Sequence, residues 1–169
     1  GRPNGITKAD YRSAEAITRT AVNHTATTAR EQVYAENSDI IKGVRWIATL
    51  DARTTLICAS RDGSVYAPNE GPRPPAHYNC RSTTVPITKS FRELGLDMDE
   101  VPQSVRASMD GEVPAKTTYA DWLRRQDEDT QRDVLGSRYE DYKAGRFKLR
   151  QFDPDDRAMT LGELRALQL

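Results

Sequence analysis

The sequence predicts an α+β protein in which a small antiparallel sheet or hairpin packs against a long N-terminal helix and several short C-terminal helices. Three observations lead there. No proline or glycine interrupts the chain from Thr7 to Asn37. Its middle holds short β-branched or aromatic runs punctuated by glycine and proline, and its last third returns to helical patterning with frequent stops.

The N-terminal helix is expected over residues 7–37. Thr7 is placed to cap it, with Asp10 three residues on. Ala14, Thr18, Val22, Ala26, Ala29 and Val33 recur at spacings of three and four. They form a small, weakly apolar face that should lie close against a partner element. His24 sits near the edge of that stripe and reads as an exposed or hydrogen-bonded helix residue.

A strand-and-loop segment follows, residues 44–87. Val44 to Leu50 alternates well enough to be a strand. Leu56 to Ala59 and Ser64 to Tyr66 are shorter strand candidates on either side of Arg61-Asp62-Gly63, a hairpin signal. Pro68 to Pro75 holds four prolines and must be an irregular loop. Thr83 to Ile87 returns as a further strand.

The remainder is predicted helical at Phe91–Leu94, Thr118–Gln126, Glu128–Leu135, Ser137–Ala144 and Thr160–Leu167, so that a C-terminal helical block occupies residues 118–168. Thr160 and Glu163 make a capping-box pair. Gly136 and Gly145 stand where helix ends take a left-handed residue. Trp122, Leu123, Val134, Leu135 and Tyr139 are the expected core of this block, with Asp121, Arg124, Arg125, Asp127 and Glu128 outside.

A chain of 169 residues has room for one domain, 1–169. Hydrophobic residues make up 37% and charged residues 30%, modest core material that a partner surface would complete. The net charge is zero, which offers no global field to draw DNA or a membrane. Residues 1–90 carry 12 Lys/Arg against 8 Asp/Glu and residues 91–169 carry 13 against 17, so the halves are +4 and −4. That split suits stacking on neighbours, or equally two solvated faces. No apolar run approaches the roughly 18 residues that span a bilayer, and no signal-peptide pattern is visible. The chain starts at Gly1 without methionine, as a fragment or a processed part of a longer chain would.

The reactive chemistry is concentrated between Trp46 and Arg81, which hold both cysteines and one of the two histidines. Cys58, His77 and Cys80 are ligand types for zinc, and His-x-x-Cys is a workable chelating spacing on a tight turn. Asp51 could supply a fourth, oxygen ligand, or His24 a nitrogen if the first helix folds over the segment. The alternative is a packed, hydrogen-bonded loop cluster without metal. A thiolate beside His77 oriented by Asp51 would satisfy the logic of a Cys-His-Asp hydrolase. Asp51, Arg53 and Arg81 could serve a phosphate-bearing substrate, yet the sequence has no phosphate-cradling glycine loop and no paired acidic metal motif. The plainer role for Asp51 is to close its own turn and pair with Arg81. Trp46, Trp122 and Tyr119 read as core rather than as nucleic-acid stacking platforms.

The residues in this segment, Trp46-Ile-Ala-Thr-Leu-Asp51-Ala-Arg53-Thr, Cys58, Asp62-Gly63 and Pro74-Pro75-Ala-His77-Tyr-Asn-Cys80-Arg81, resemble the core signature of the phage Mu F-like minor head proteins, the head-morphogenesis family of tailed bacteriophages. Ile17-Thr-Arg19-Thr20 resembles the Arg-Thr carried upstream. Thr118-Tyr119-Ala-Asp-Trp122-Leu123-Arg-Arg-Gln126, then Gln131, Val134-Leu135-Gly136 and Met159-Thr160-Leu161-Gly-Glu163-Leu164, resemble the family's second block. Many relatives read Cys-Arg-Cys where this chain has Cys80-Arg81-Ser82, and some have His in place of Cys58, exchanges that resemble swaps between zinc ligands.

The resemblance implies a virion protein of the phage head, assembled in the host cytoplasm, with portal, capsid or scaffold proteins and the packaged DNA as partners and no membrane. It implies a structural role more than an enzymatic one. The alternative it leaves open is a phage-encoded polymorphic-toxin carrier or effector domain, for which Asp51, Arg53, His77 and Arg81 would be the catalytic candidates.

Overall fold

The computed structural model describes residues 8–102 and 104–152. The fold is mixed α and β. A long helix α1 (Lys8–Glu36) leads into β1 (Ile41–Ile47), α2 (Leu56–Arg61), β2 (Val65–Tyr66) and β3 (Thr83–Thr88). A hairpin of β4 (Val105–Ser108) and β5 (Gly111–Pro114) comes next, then α3 (Tyr119–Leu123), α4 (Glu128–Leu135) and α5 (Tyr139–Lys143). Single 3-10 turns occupy Gly136–Arg138 and Leu149–Gln151. The predicted cap Thr7 and the predicted helix Thr160–Leu167, with its Thr160/Glu163 pair and the closing Met159–Leu164 block, lie outside the described residues.

β1 is the middle strand of an antiparallel sheet ordered β2-β1-β3. Its register sets Trp46 opposite Thr84 and Arg45 opposite Val85, so Val44 and Trp46 point inward and are buried. The strand starts three residues before the predicted Val44 and stops at Ile47. Leu50 continues it only as an isolated bridge to Ser108, which joins the sheet to the β4–β5 hairpin.

That hairpin was not anticipated. Its strands are short and carry Arg106 and Glu112, so their composition is weakly β. The legible signal was Asp110-Gly111, with Gly111 at positive φ closing the turn.

Two predicted elements change type. Leu56–Ala59 is the start of α2 rather than a strand. A four-residue apolar run cannot be assigned by periodicity alone. Here the Thr54 hydroxyl donates to the Thr49 carbonyl at 2.7 Å, turning the chain away from the sheet before Leu56. Arg61-Asp62-Gly63 therefore ends a helix, and β2 folds back on β1 instead of on residues 56–59. Phe91–Leu94 forms a turn, with Leu94 and Gly95 backbone amides bonded three or four residues back. Gly95 at φ 80° ends it, before a helix has enough residues to offset its nucleation cost.

The first helix spans the expected range but presents the other face. Val22 is 65% exposed and Val33 54% exposed. The face that meets the body of the protein is polar, built from Thr20, Asn23, Thr27, Glu31 and Tyr34. The physical reason is what lies opposite. The loop and β3 offer backbone groups of Asn79, Cys80, Ser82 and Thr84 that need partners once water is excluded. The threonines are tolerated in mid-helix because Thr18, Thr20, Thr25 and Thr28 each donate back to the carbonyl four residues earlier.

Three of the predicted C-terminal helices are present, Glu128–Leu135 with the bounds read and the other two shortened to Tyr119–Leu123 and Tyr139–Lys143. Thr118 and Asp121 make a reciprocal capping box at α3. Asp127 caps α4 by accepting from the Thr130 amide, and Gly136 follows α4 at φ 54°. Trp122, Leu123, Leu135 and Tyr139 are buried with Leu50, Ala59, Tyr119 and Leu149 in one apolar cluster, and half-buried Val134 packs against it. Arg124, Arg125, Asp127 and Glu128 are exposed, and Asp121 is half-buried. Gln131 donates to the Leu123 and Gln126 carbonyls, and Trp122 and Gln126 both donate to Asp110 of the hairpin turn at 2.8 Å.

Candidate functional site

The two cysteines and His77 meet at the edge of the sheet. α2 carries Cys58 on its inward side, 2% exposed, and Cys80 precedes β3, 5% exposed. Both are free thiols, with sulfurs 3.6 Å apart. His77 Nε2 lies 3.2 Å from Cys58 Sγ and 2.9 Å from Thr55 Oγ1. The ligand atoms of Cys58, His77 and Cys80 all fall within 4.8 Å of one another. Buried Trp46 and Ala48 form the floor beneath them.

The proline-rich loop delivers His77 and Cys80 because other parts of the molecule grip it. Arg73 pairs with Glu31 of α1 at 2.6 Å and donates to the carbonyl of Ala67. Gly71 passes directly under the Tyr66 ring, where a Cβ would come within 2.3 Å of it. Asn79 adopts φ 58°, and its amide donates to Thr20 Oγ1 at 3.0 Å. Asn23 Nδ2 donates to the Cys80 carbonyl at 2.7 Å and to the Ser82 carbonyl at 3.3 Å.

His77 Nδ1 sits 2.7 Å from the Tyr78 carbonyl oxygen. A carbonyl only accepts, so Nδ1 carries the proton and Nε2 turns its lone pair toward Cys58 and Thr55. The thiols are asymmetric. The Cys80 thiol is held below its ordinary pKa, first by the hydrogen bond from Cys58 and then by the backbone amides of Ala76 and Ser82 and the nearby imidazole. The Cys58 thiol is pushed up by that same bond and by burial. The contact between the two sulfurs is the first cause of both shifts.

Asp51 stands beside this group, outside it. Its carboxylate takes both arms of the Arg81 guanidinium, one at 2.7 Å, with further bonds from the Arg53 amide at 3.0 Å and the Thr54 hydroxyl at 3.1 Å. The Arg81 pairing is the main cause that keeps its pKa below the usual carboxylate range. His24 is exposed on α1. Trp46, Trp122 and Tyr119 are all buried.

Two sets of partners were not singled out from the sequence. Thr55 and Ser82 line one small cavity with Cys58, and both favour its thiolate. Read as a strand, residues 55 and 58 fall on opposite faces; in a helix the same spacing puts them on one face. Arg106 is the other omission. Its guanidinium forks onto the buried Asp62 carboxylate at 3.1 Å on each arm, 44 residues away. Asp62 also accepts from the Ala48 and Tyr119 amides, both at 2.7 Å. Asp62 thus locks β1, α2, the hairpin and α3 together, a role that no local pattern announces.

Residues 4–85 match the family described as phage Mu protein F like protein, a span that includes Asp51, Arg53, Cys58, His77, Cys80 and Arg81. No curated protein and no solved structure matches the chain. Among the described residues no helix is long and apolar enough to cross a membrane.

Proposed function

We propose, since residues 4–85 match the phage Mu protein F like family, that this protein works in the morphogenesis of a bacteriophage head. Its finer place in this reading is that of a minor head protein of a tailed phage or prophage, held in the procapsid and the virion. Portal protein and capsid or scaffold proteins are its partners, and the packaged DNA lies within reach. The family match carries the reading.

Two features of the molecule support a structural role over a catalytic one. Asp51 and Arg81, which a phosphate-handling site would need to turn toward a substrate, are bonded to each other and to their own turn. In addition α1 turns Tyr11, Ile17, Val22 and Val33 outward, the kind of apolar exposure that neighbours in an assembly cover.

The test is co-expression with the cognate portal and capsid proteins, followed by mass spectrometry of purified procapsids and by assembly with the gene deleted. The expected outcome is a low-copy component of the head whose loss lowers the yield of filled heads. Procapsids that lack the protein and fill normally without it would sink the reading. Toxicity in bacteria that Arg53→Ala or Arg81→Ala abolishes with the fold intact would favour an effector instead.

A further inference from the structure

We propose that Cys58, His77 and Cys80 form a Cys2His site for one zinc ion, whose fourth position opens beside Thr55, and that the ion ties the proline-rich loop to α2. The geometry is close to what such an ion requires. Zinc–sulfur bonds of about 2.3 Å and zinc–nitrogen bonds of about 2.0–2.1 Å at tetrahedral angles set sulfur–sulfur at about 3.8 Å and sulfur–nitrogen at about 3.5 Å. The corresponding separations here are 3.6 Å between the sulfurs and 3.2 Å from Cys58 Sγ to His77 Nε2. The third pair, Cys80 Sγ and His77 Nε2, lies within 4.8 Å and closes by up to about 1.3 Å when the ion binds.

The surroundings of each ligand fit the same role. His77 is oriented by its Nδ1–H on a backbone carbonyl, the outer-shell arrangement that aims an imidazole lone pair at a metal. The Thr55 and Ser82 side chains line the same small cavity as Cys58 and His77, and both favour the Cys58 thiolate that a metal requires. Two soft thiolates and an imidazole select zinc over magnesium or calcium.

The fourth corner is the remaining question, and neither Asp51 nor His24 reaches it. Asp51 is held by Arg81, and His24 is exposed on α1. Thr55 Oγ1, 2.9 Å from His77 Nε2, marks that corner. It borders a cavity of about 20 Å³ that Arg53, Cys58, His77 and Arg81 also line. The cavity is wide enough for one water-sized group, so solvent supplies the fourth ligand. The ion adds a coordination link between α2 and a loop that polar contacts to α1 and packing on Tyr66 and Trp46 already hold.

The proposal is tested by titrating reduced, metal-free protein with zinc and, separately, with cobalt(II) as a spectroscopic stand-in. One equivalent should bind, with a thiolate-to-cobalt charge-transfer band and the strong visible bands of a tetrahedral site. Cys80→Ser should weaken zinc binding by more than the about 10–100-fold that an outer-shell change costs. Thr55→Cys, which places a thiolate at the fourth corner, should tighten it at least about tenfold and redshift the cobalt spectrum. Folded protein with both thiols reduced that takes up neither metal would overturn the site. Binding that survives Cys80→Ser undiminished would overturn the ligand set. A Thr55→Cys protein with unchanged affinity and spectrum would overturn the position of the fourth ligand.

Discussion

The C-terminal helices and the first helix are held in place by different physics. The C-terminal block sinks Trp122, Leu123, Leu135 and Tyr139 into one apolar cluster with Leu50 and Ala59. The first helix sets Tyr34 against Ile41 and Val44 and is otherwise held by named polar contacts: Thr20 to the Asn79 amide, Asn23 to the Cys80 and Ser82 carbonyls, and Glu31 to Arg73 and Thr84. The difference is instructive because burial of apolar area is non-directional and forgiving of detail, whereas each polar contact depends on one donor meeting one acceptor. The block should therefore resist unfolding globally. The α1–loop seam should open locally, and that seam is what positions His77 and Cys80.

The largest expected effect is on the apolar side. Trp122 is 2% exposed and packs at 5.0 Å, ring centroid to ring centroid, on Tyr119. Trp122→Ala should cost about 3–5 kcal/mol, read as a lowered denaturant midpoint for the whole molecule. A loss below about 1 kcal/mol would mean that the block is a docking surface rather than a core.

An intermediate effect is expected at the polar seam. Asn23→Ala leaves the Cys80 and Ser82 carbonyls without their donor and should cost about 1–3 kcal/mol. Its signature is regional: amide exchange should speed up in residues 77–84 while α4 stays protected. Uniform acceleration across both regions would show that the two sides unfold as one unit and erase the contrast.

The smallest effect sharpens the comparison. Val22→Ser and Val33→Ser on the outward face of α1 should each change monomer stability by less than about 0.5 kcal/mol. A cost of 2 kcal/mol or more from either would mean that the helix buries this face in solution.

The same contrast separates what was legible in the sequence from what was not. Glu128–Leu135 was bounded correctly because Asp127 before it and Gly136 after it are local chemical signals. β3 came within one residue of its predicted end, and the apolar set of the C-terminal block was named in advance. The convergence of Cys58, His77 and Cys80 was anticipated from their crowding into one segment. These readings rest on periodicity and cap chemistry, which act within a few residues and need no knowledge of the rest of the fold.

Tertiary structure decided the remainder. α1 carries small and polar residues on every face, so only the unpaired backbone groups opposite could choose Asn23 over Val22 as the buried side. Residues 56–59 are long enough to be apolar and too short to show a period, and the turn at Thr49–Thr54 made them helical. That choice alone brought Thr55 onto the face of Cys58. Asp62 reads locally as a turn residue, yet it is buried because Arg106 arrives from 44 residues away to neutralise it. A sequence states which groups need partners. Which partner arrives is settled only when distant segments pack and water leaves.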